Sequence, residues 1–373
     1  MAVKRVEAFP VAYPEPNDNN NTRRLLLCRI EDESGAVGWG EAVTTLPEVT
    51  LATKVVVEGL EQLIVGRDAL DNEDIWRRIK THTWYYGHEG IASYALSAID
   101  IALWDLKGKI LGIPLVQLLG GAHQSRLPVI ASTIASDSSI QVEADRHGEY
   151  IQAGYKGVKV GFGSESARLG FDVDRDVKFM AALRDAVGPA ADIMIDRNRC
   201  QVITWDVVSA IRRTNEMEAY GLRWMEEPVE PTDIEGLRHF RGNVKTLVAG
   251  GEREWHSRAY GRLIGTGLID VVCFDAGRSE GITGGREVVA LVEKQHCWIN
   301  AHSWSSAINT AASIALSAIT PRTLVFEMKP DLNPMQHELV ERPFEQTDGW
   351  IDVPSLPGLG VEIREEVVHK YGF

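Results

Sequence analysis

The sequence predicts an α/β protein, a (β/α)8-type barrel preceded by a smaller α+β domain. Three observations lead there. From about residue 126 onward, eight short apolar runs recur, each followed by a helix-like segment, which is the pattern of repeated strand–helix units. Before that point the chain reads as a hairpin followed by helices rather than as alternation. The length of 373 residues exceeds a typical barrel of about 250 by enough for one further small domain.

Taken in order, residues 24–31 (RLLLCRIE) read as a strand, 32–35 as a turn and 36–42 (AVGWGEA) as the returning strand. The Asn-rich stretch just before them, PEPNDNNNTRR, reads as a mobile loop. Helical patterns follow, notably 94–109 (YALSAIDIALWDLKGK). The apolar runs are 129–133, 157–160, 193–196, 222–226, 246–250, 269–275, 297–301 and 324–327. These readings divide the chain into an α+β domain at 1–125 and a barrel at 126–349. A tail at 350–373, rich in Gly and Pro, is expected to return to the first domain.

Composition is ordinary for a globular chain, 44% apolar and 25% charged. The net charge of −14 argues against a nucleic-acid partner. It also means that an anionic substrate needs local positive charge. Cys28, Cys200, Cys273 and Cys297 are scattered without CxxC spacing, so reduced thiols in the cytoplasm are expected. The first residues show no secretory apolar core and no apolar run reaches about 18 residues, so no membrane role is expected. The stretch GITGG at 281–285 does not fit a dinucleotide-binding pattern.

Charged residues fall at one end of the runs. Lys159 lies in the second, Asp196 ends the third with Asn198 just beyond, and Glu226 and Glu227 close the fourth. Glu252 follows the fifth, Asp275 ends the sixth, His302 follows the seventh and Glu327 ends the eighth. In a parallel barrel these ends surround one mouth, where active sites lie. A single such carboxylate is most often a helix cap, and the ordered series is what caps alone do not explain. Asp196, Glu226 and Glu252, massed without a cation, would repel and raise one another's pKa. Oxygen-only ligation suits Mg2+, and no His or Cys cluster favours zinc. One glutamate of the 226/227 pair is then a ligand and the other turns away; alternation alone does not say which.

The ordered set resembles the enolase superfamily: a DxN after the third run, EEP after the fourth and GGE after the fifth. The His302 and Asp275 pair is similar to that of the mandelate racemase group, and the resemblance extends to SAIDIALWDLKGK and to the PGLGVEI tail. It implies an enolase-like modified TIM barrel under a capping domain, whose loops close the mouth. It implies Mg2+ on Asp196, Glu226 and Glu252, and a dyad in which His302 moves a proton and Asp275 orients it. Asn198 and Glu327 would contact a small carboxylate substrate, and homo-oligomers are common in the family. The second strand departs from the family's Lys-x-Lys: Lys159 is present but Gly161 takes the second place. Both positions share one strand face, so a two-base racemase is disfavoured. Lys159 becomes an electrostatic partner or, less readily, a base; a lysine reaching to solvent is the plain alternative. The expectation is dehydration of a sugar acid to a 2-keto-3-deoxy acid. Lactone cycloisomerisation comes second, since GGE-x-x-W-H and the NP…PGLG tail look similar to those enzymes. Epimerisation follows, and a ligand-binding barrel without activity is the non-enzymatic rival.

Overall fold

The first element is a long strand that the sequence reading did not anticipate, β1 (Val3–Glu15), paired antiparallel with β2 (Asn21–Asp32). β3 (Val37–Ala42) returns beside β2 to complete the expected hairpin. The computed structural model describes residues 1–197 and 205–373. Asn198 and Cys200 therefore lie outside the described residues. The Asn-rich stretch, expected to be mobile, is instead a tight turn between β1 and β2. Asn19 and Asn20 adopt φ of 53° and 56°, left-handed values that short amide side chains tolerate. Asn17 is buried and donates to Glu15 Oε1 at 2.7 Å and to the Asp331 carbonyl at 3.0 Å.

Three helices follow, α1 (Pro47–Leu60), α2 (Asn72–Thr83) and α3 (Ile91–Leu111). Helix α3 lies directly on β3. A Cβ at Gly38 would stand 2.1 Å from the Ala102 carbonyl oxygen and one at Gly40 would stand 1.9 Å from that of Ala98, so only glycine permits this approach. A short turn of helix, α4 (Leu115–Leu118), leads onward.

The barrel then alternates β4 (Arg126–Ile134), α5 (Ile140–Gln152), β5 (Gly157–Gly161), α6 (Val173–Val187), β6 (Asp192–Asp196) and α7 (Val207–Glu218). It continues through β7 (Leu222–Glu226), α8 (Ile234–Arg241), β8 (Leu247–Gly250), α9 (Ser257–Gly265), β9 (Val271–Val272) and α10 (Gly281–Gln295). It finishes with β10 (Trp298–Ile299), α11 (Ala307–Ala318) and β11 (Phe326–Met328). Strands β4 to β10 are parallel neighbours in sequence order, and β11 pairs with β4. A parallel bridge between Ile299 and Thr323 joins the two ends of the sheet. The sixth and seventh strands are shorter than their apolar runs. Beyond them the backbone stays bonded but irregular, Cys273 N–H to the Gly250 carbonyl and His302 N–H to the Phe274 carbonyl.

Inside the ring, Ile130, Met194, Trp224, Ala249, Val271, Cys273 and Val325 form a buried apolar cluster. Strand alternation puts the residue two places on in the same direction. That shift leads from Met194 to Asp196, from Trp224 to Glu226, from Cys273 to Asp275 and from Val325 to Glu327. A dry floor thus gives way to a polar layer at the mouth.

After α12 (Pro334–His337), β12 (Trp350–Asp352) adds antiparallel to β4, and the last helix is α13 (Glu365–Lys370). The tail reaches back to the N-terminal region: Leu359 N–H donates to Asp105 Oδ1 and Phe373 N–H to the Pro10 carbonyl. Buried Asp105 also accepts from Trp39 N–H at 2.9 Å. Asp100 on the same helix accepts from the Thr283 N–H and hydroxyl, at 2.8 and 2.7 Å, fixing α3 to α10. Among the described residues no helix is long and apolar enough to cross a membrane.

Candidate active site

The carboxylates of Asp196, Glu226 and Glu252 offer oxygens that all lie within 4.8 Å of one another. Asp196 and Glu226 end adjacent strands in register, and Glu252 follows β8 after Gly251, whose φ is 116°. Glu226 Oε2 accepts from Trp224 Nε1 at 3.3 Å and lies 3.0 Å from Lys159 Nζ. Its Oε1 is buried and, among the described residues, accepts no hydrogen bond. A buried carboxylate oxygen without a donor is costly. A hard divalent cation, which takes oxygen ligands from several carboxylates, fits this donor set.

Burial, with Asp196 and Glu252 adding negative charge against the pull of Lys159, pushes Glu226 up to about 7. Lys159 is buried and meets Glu327 Oε2 at 2.6 Å and Asp196 Oδ2 at 3.6 Å besides Glu226. Burial opposes its charge, but Glu226, Glu327 and Asp196 together hold its pKa well above the ordinary lysine value. A locked ammonium is a charge partner and a poor base, and the reading of Lys159 as a solvent-reaching side chain is set aside.

The adjacent Glu227 turns the other way. Its φ of 44° swings it off the strand, and its Oε2 takes Arg253 Nε at 2.5 Å. Arg197, beside Asp196, is buried and donates to the carbonyls of Glu227 and Val229, at 2.7 and 2.8 Å. The two arginines flanking the carboxylates thus fasten the EEP loop.

Across the cavity His302 Nδ1 lies 2.6 Å from Asp275 Oδ2, so Nδ1 carries the proton and Nε2 is the basic atom. Nε2 stands 3.6 Å from Glu252 Oε2. Burial opposes the imidazolium, yet the charge of Glu252 and then the bond to Asp275 push His302 up to about 9. Asp275 Oδ1 is held by Gly277 N–H at 2.8 Å and Asn309 Nδ2 at 3.1 Å.

These groups open on one cavity of about 450 Å3, also lined by Gly161, Trp304 and Arg23. Gly161 contributes no side chain, and a Cβ there would meet Ile134 Cγ1 at 3.3 Å. Trp304 walls the pocket, its indole N–H donating to Ser132 Oγ at 2.9 Å. The Arg278 side chain stacks 3.4 Å above the Trp255 ring and donates to the Tyr94 hydroxyl, while its backbone N–H donates to the Asp275 carbonyl.

Two features went unread in the sequence. Glu41 of β3 is buried and accepts from the N–H groups of Ser306 and Asn309, at 3.2 Å each, tying the N-terminal sheet to the helix that carries Asn309. Arg23 on β2 also reaches the cavity. Neither follows a strand-end pattern, and only the first strand and its turn, once known, bring Arg23 into view.

Two family models match the chain. Residues 11–120 fit the N-terminal domain of mandelate racemase / muconate lactonizing enzyme, and 142–367 fit the enolase C-terminal domain-like model. A D-gluconate dehydratase of Thermoproteus tenax is 31% identical over 99% of this chain and 74% of that protein. A D-galactarolactone cycloisomerase of Agrobacterium fabrum is 29% identical over 94% of this chain and 91% of its own. The crystal structure of a 3,6-anhydro-D-galactonate cycloisomerase from Zobellia galactanivorans superposes with a TM-score of 0.89 at 26% identity, covering 100% of both chains.

Proposed function

This chain belongs to the enolase superfamily, in its mandelate racemase group, and from that premise we propose that it is a Mg2+-dependent acid-sugar dehydratase. The substrate is a sugar-acid carboxylate and the product a 2-keto-3-deoxy acid. The observation that carries the reading is that, among the described residues, one base is positioned, His302 with its Nε2 3.6 Å from Glu252 of the triad, while position 161 in the same cavity carries no side chain.

Asp196, Glu226 and Glu252 would hold Mg2+, with Lys159 and Glu327 around the substrate carboxylate. Bound Mg2+ supplies the positive charge that stabilises a developing enediolate and offsets Glu252, the largest charge holding His302 up. His302 Nε2 takes the proton from the carbon next to the carboxylate. Asp275, fixed by Gly277 and Asn309, keeps the ring oriented and stabilises the imidazolium. The same Nε2–H then protonates the hydroxyl on the next carbon, which leaves as water as the carbon–carbon double bond forms. The resulting enol tautomerises to the keto acid. Lys159 stays protonated throughout and complements the second negative charge.

Lactone cycloisomerisation is the second reading, favoured by the cycloisomerase relatives. It shares the first proton abstraction and expels a ring oxygen instead of water. The experiment is incubation with Mg2+ and panels of sugar acids and of their lactones in D2O. Formation of a 2-keto-3-deoxy acid from the open acids supports dehydration. Consumption of lactones alone supports the second reading, and inertness toward both panels ends the catalytic proposal.

A further inference from the structure

We infer that Arg23 is a specificity residue that binds the far carboxylate of a dicarboxylic sugar acid, so that the preferred substrate class is an aldarate or its lactone rather than a monocarboxylic aldonate. The inference rests on the reading of the site as an acid-sugar enzyme.

Among the described residues four lysine and arginine side chains line the cavity besides His302: Lys159, Arg253, Arg278 and Arg23. The first three are committed. Lys159 is held by three carboxylates, Arg253 by Glu227, and Arg278 by Tyr94 and the Trp255 face. Arg23 differs. Its guanidinium lies 4.8 Å from the centre of the Trp304 ring, and its charged neighbour is Asp18, with NH2 to Oδ2 at 3.5 Å. That separation is too long for a charge-assisted hydrogen bond. Among the described residues the Arg23 side chain is ion-paired with Asp18 but donates no hydrogen bond, so its planar fork of donors can still take an anion.

The cation is also fixed in place. Strand β2 holds it opposite Tyr13 on β1. The turn joining the two strands is pinned to the loop after β11 by a reciprocal pair, Asn17 Nδ2 to the Asp331 carbonyl at 3.0 Å and Asp331 N–H to Asn17 Oδ1 at 2.8 Å. Lys329 reinforces it, bonding Glu15 Oε2 at 2.6 Å. The indole beneath Arg23 belongs to the same loop as His302 and bonds Ser132, the register partner of Lys159. Arg23 thus lies over a ring that is fastened to the strand beside Lys159, and it lines the same cavity as the reacting groups. In a chain of net charge −14, an anion with a charge at each end needs a cation at each end. The planar guanidinium matches a carboxylate with two parallel hydrogen bonds, a match that a terminal hydroxymethyl group cannot make.

The test compares galactarate with galactonate, and glucarate with gluconate, in the Mg2+-loaded wild type, Arg23→Gln and Arg23→Lys. The expected wild type favours the dicarboxylates in kcat/KM. The glutamine variant should lose roughly 10- to 100-fold of that preference, the range of a charge-assisted pair, and the lysine variant should recover part of it. Binding calorimetry in a His302→Asn background, where turnover is suppressed, should show the same ratio. Keto-acid formation with a wild-type preference for aldonates, or with equal losses on both classes in Arg23→Gln, overturns the inference and leaves the dehydratase reading standing. If no acid is turned over, that reading fails, and calorimetry alone decides: a galactarate preference that Arg23→Gln abolishes upholds the subsite, and its absence overturns it.

Discussion

Glu226 and Glu227 are consecutive residues that face opposite sides of one strand end. Glu226 points into the ring beside Lys159 with an Oε1 that has no hydrogen-bond partner among the described residues, and Glu227, at a φ of 44°, pairs with Arg253. Glu226 lies two places beyond the inward-facing Trp224, and the left-handed backbone at Glu227 then turns the chain off the strand. The two glutamates therefore differ in role, and their substitutions should differ in effect. Glu226→Gln removes a charge and a ligand oxygen, and Mg2+ affinity by calorimetry should fall at least about 10-fold, in the range seen for altered metal sites. Glu227→Gln should leave Mg2+ affinity within about threefold of wild type, because it loosens a loop contact worth roughly 1 kcal/mol. Equal losses in both variants would remove the distinction.

His302→Asn keeps the shape of the side chain near Asp275 but has no basic nitrogen. Turnover should drop by about 100- to 10,000-fold, the usual worth of a positioned general base. Exchange of the substrate's α-proton in D2O should vanish with it, while Mg2+ binding and melting temperature stay near wild type. Retained exchange at the wild-type rate would transfer the base role to another group.

Much of this arrangement was legible in the sequence, for a physical reason. A strand that ends in a charged residue after apolar residues breaks the expectation for a buried run, and seven consecutive strands that carry a charged group at or near one end define a mouth. The choice of ligand between Glu226 and Glu227 was not legible from pattern, since it depends on which face of the strand looks inward, and the packing of Trp224 inside the ring shows that face. β1 escaped because its prolines and charged residues mask a buried face that only the pairing with β2 reveals. The Asn-rich turn was misread because asparagine signals both a polar loop and a left-handed turn, and burial of Asn17 selects the second. Contacts between distant elements, such as Glu41 to Ser306 and Arg23 over Trp304, leave no periodic trace in the chain at all.

Lys159 is buried among Glu226, Glu327 and Asp196, so its removal affects more than catalysis. In Lys159→Met these carboxylates lose their common cation, a change that costs about 3–5 kcal/mol when a buried pair is broken. The variant should melt well below wild type without metal, and saturating Mg2+ should raise its melting temperature more than it raises that of wild type. Turnover should remain lost even with Mg2+ present. A variant that melts like wild type in the absence of metal would show that the ammonium does not neutralise the cluster.

Asp100, which joins α3 to α10, gives a pH dependence of stability whose sign follows from its surroundings. Burial, opposed by the Thr283 N–H and hydroxyl and the Ile282 N–H, pushes its pKa from 3.8 up to about 7. The neutral acid is therefore favoured in the folded chain. Between about 4 and 7 the unfolded chain has released this proton and the folded chain has kept it, so stability falls as pH rises through that window. The full effect is at most about 4 kcal/mol, at 1.36 kcal/mol per pKa unit. Asp100→Asn cannot ionise and keeps an acceptor for the Thr283 N–H, which lies 2.8 Å from Asp100 Oδ2. Its stability relative to wild type should therefore climb steadily from pH 4 to 7 and level off above. Urea unfolding of both proteins at several pH values measures this difference directly, and other titrating groups common to the two chains cancel. A difference that stays flat, or that shrinks as pH rises, would mean that Asp100 is ionised in the folded protein and that α3 is held to α10 by a charged contact.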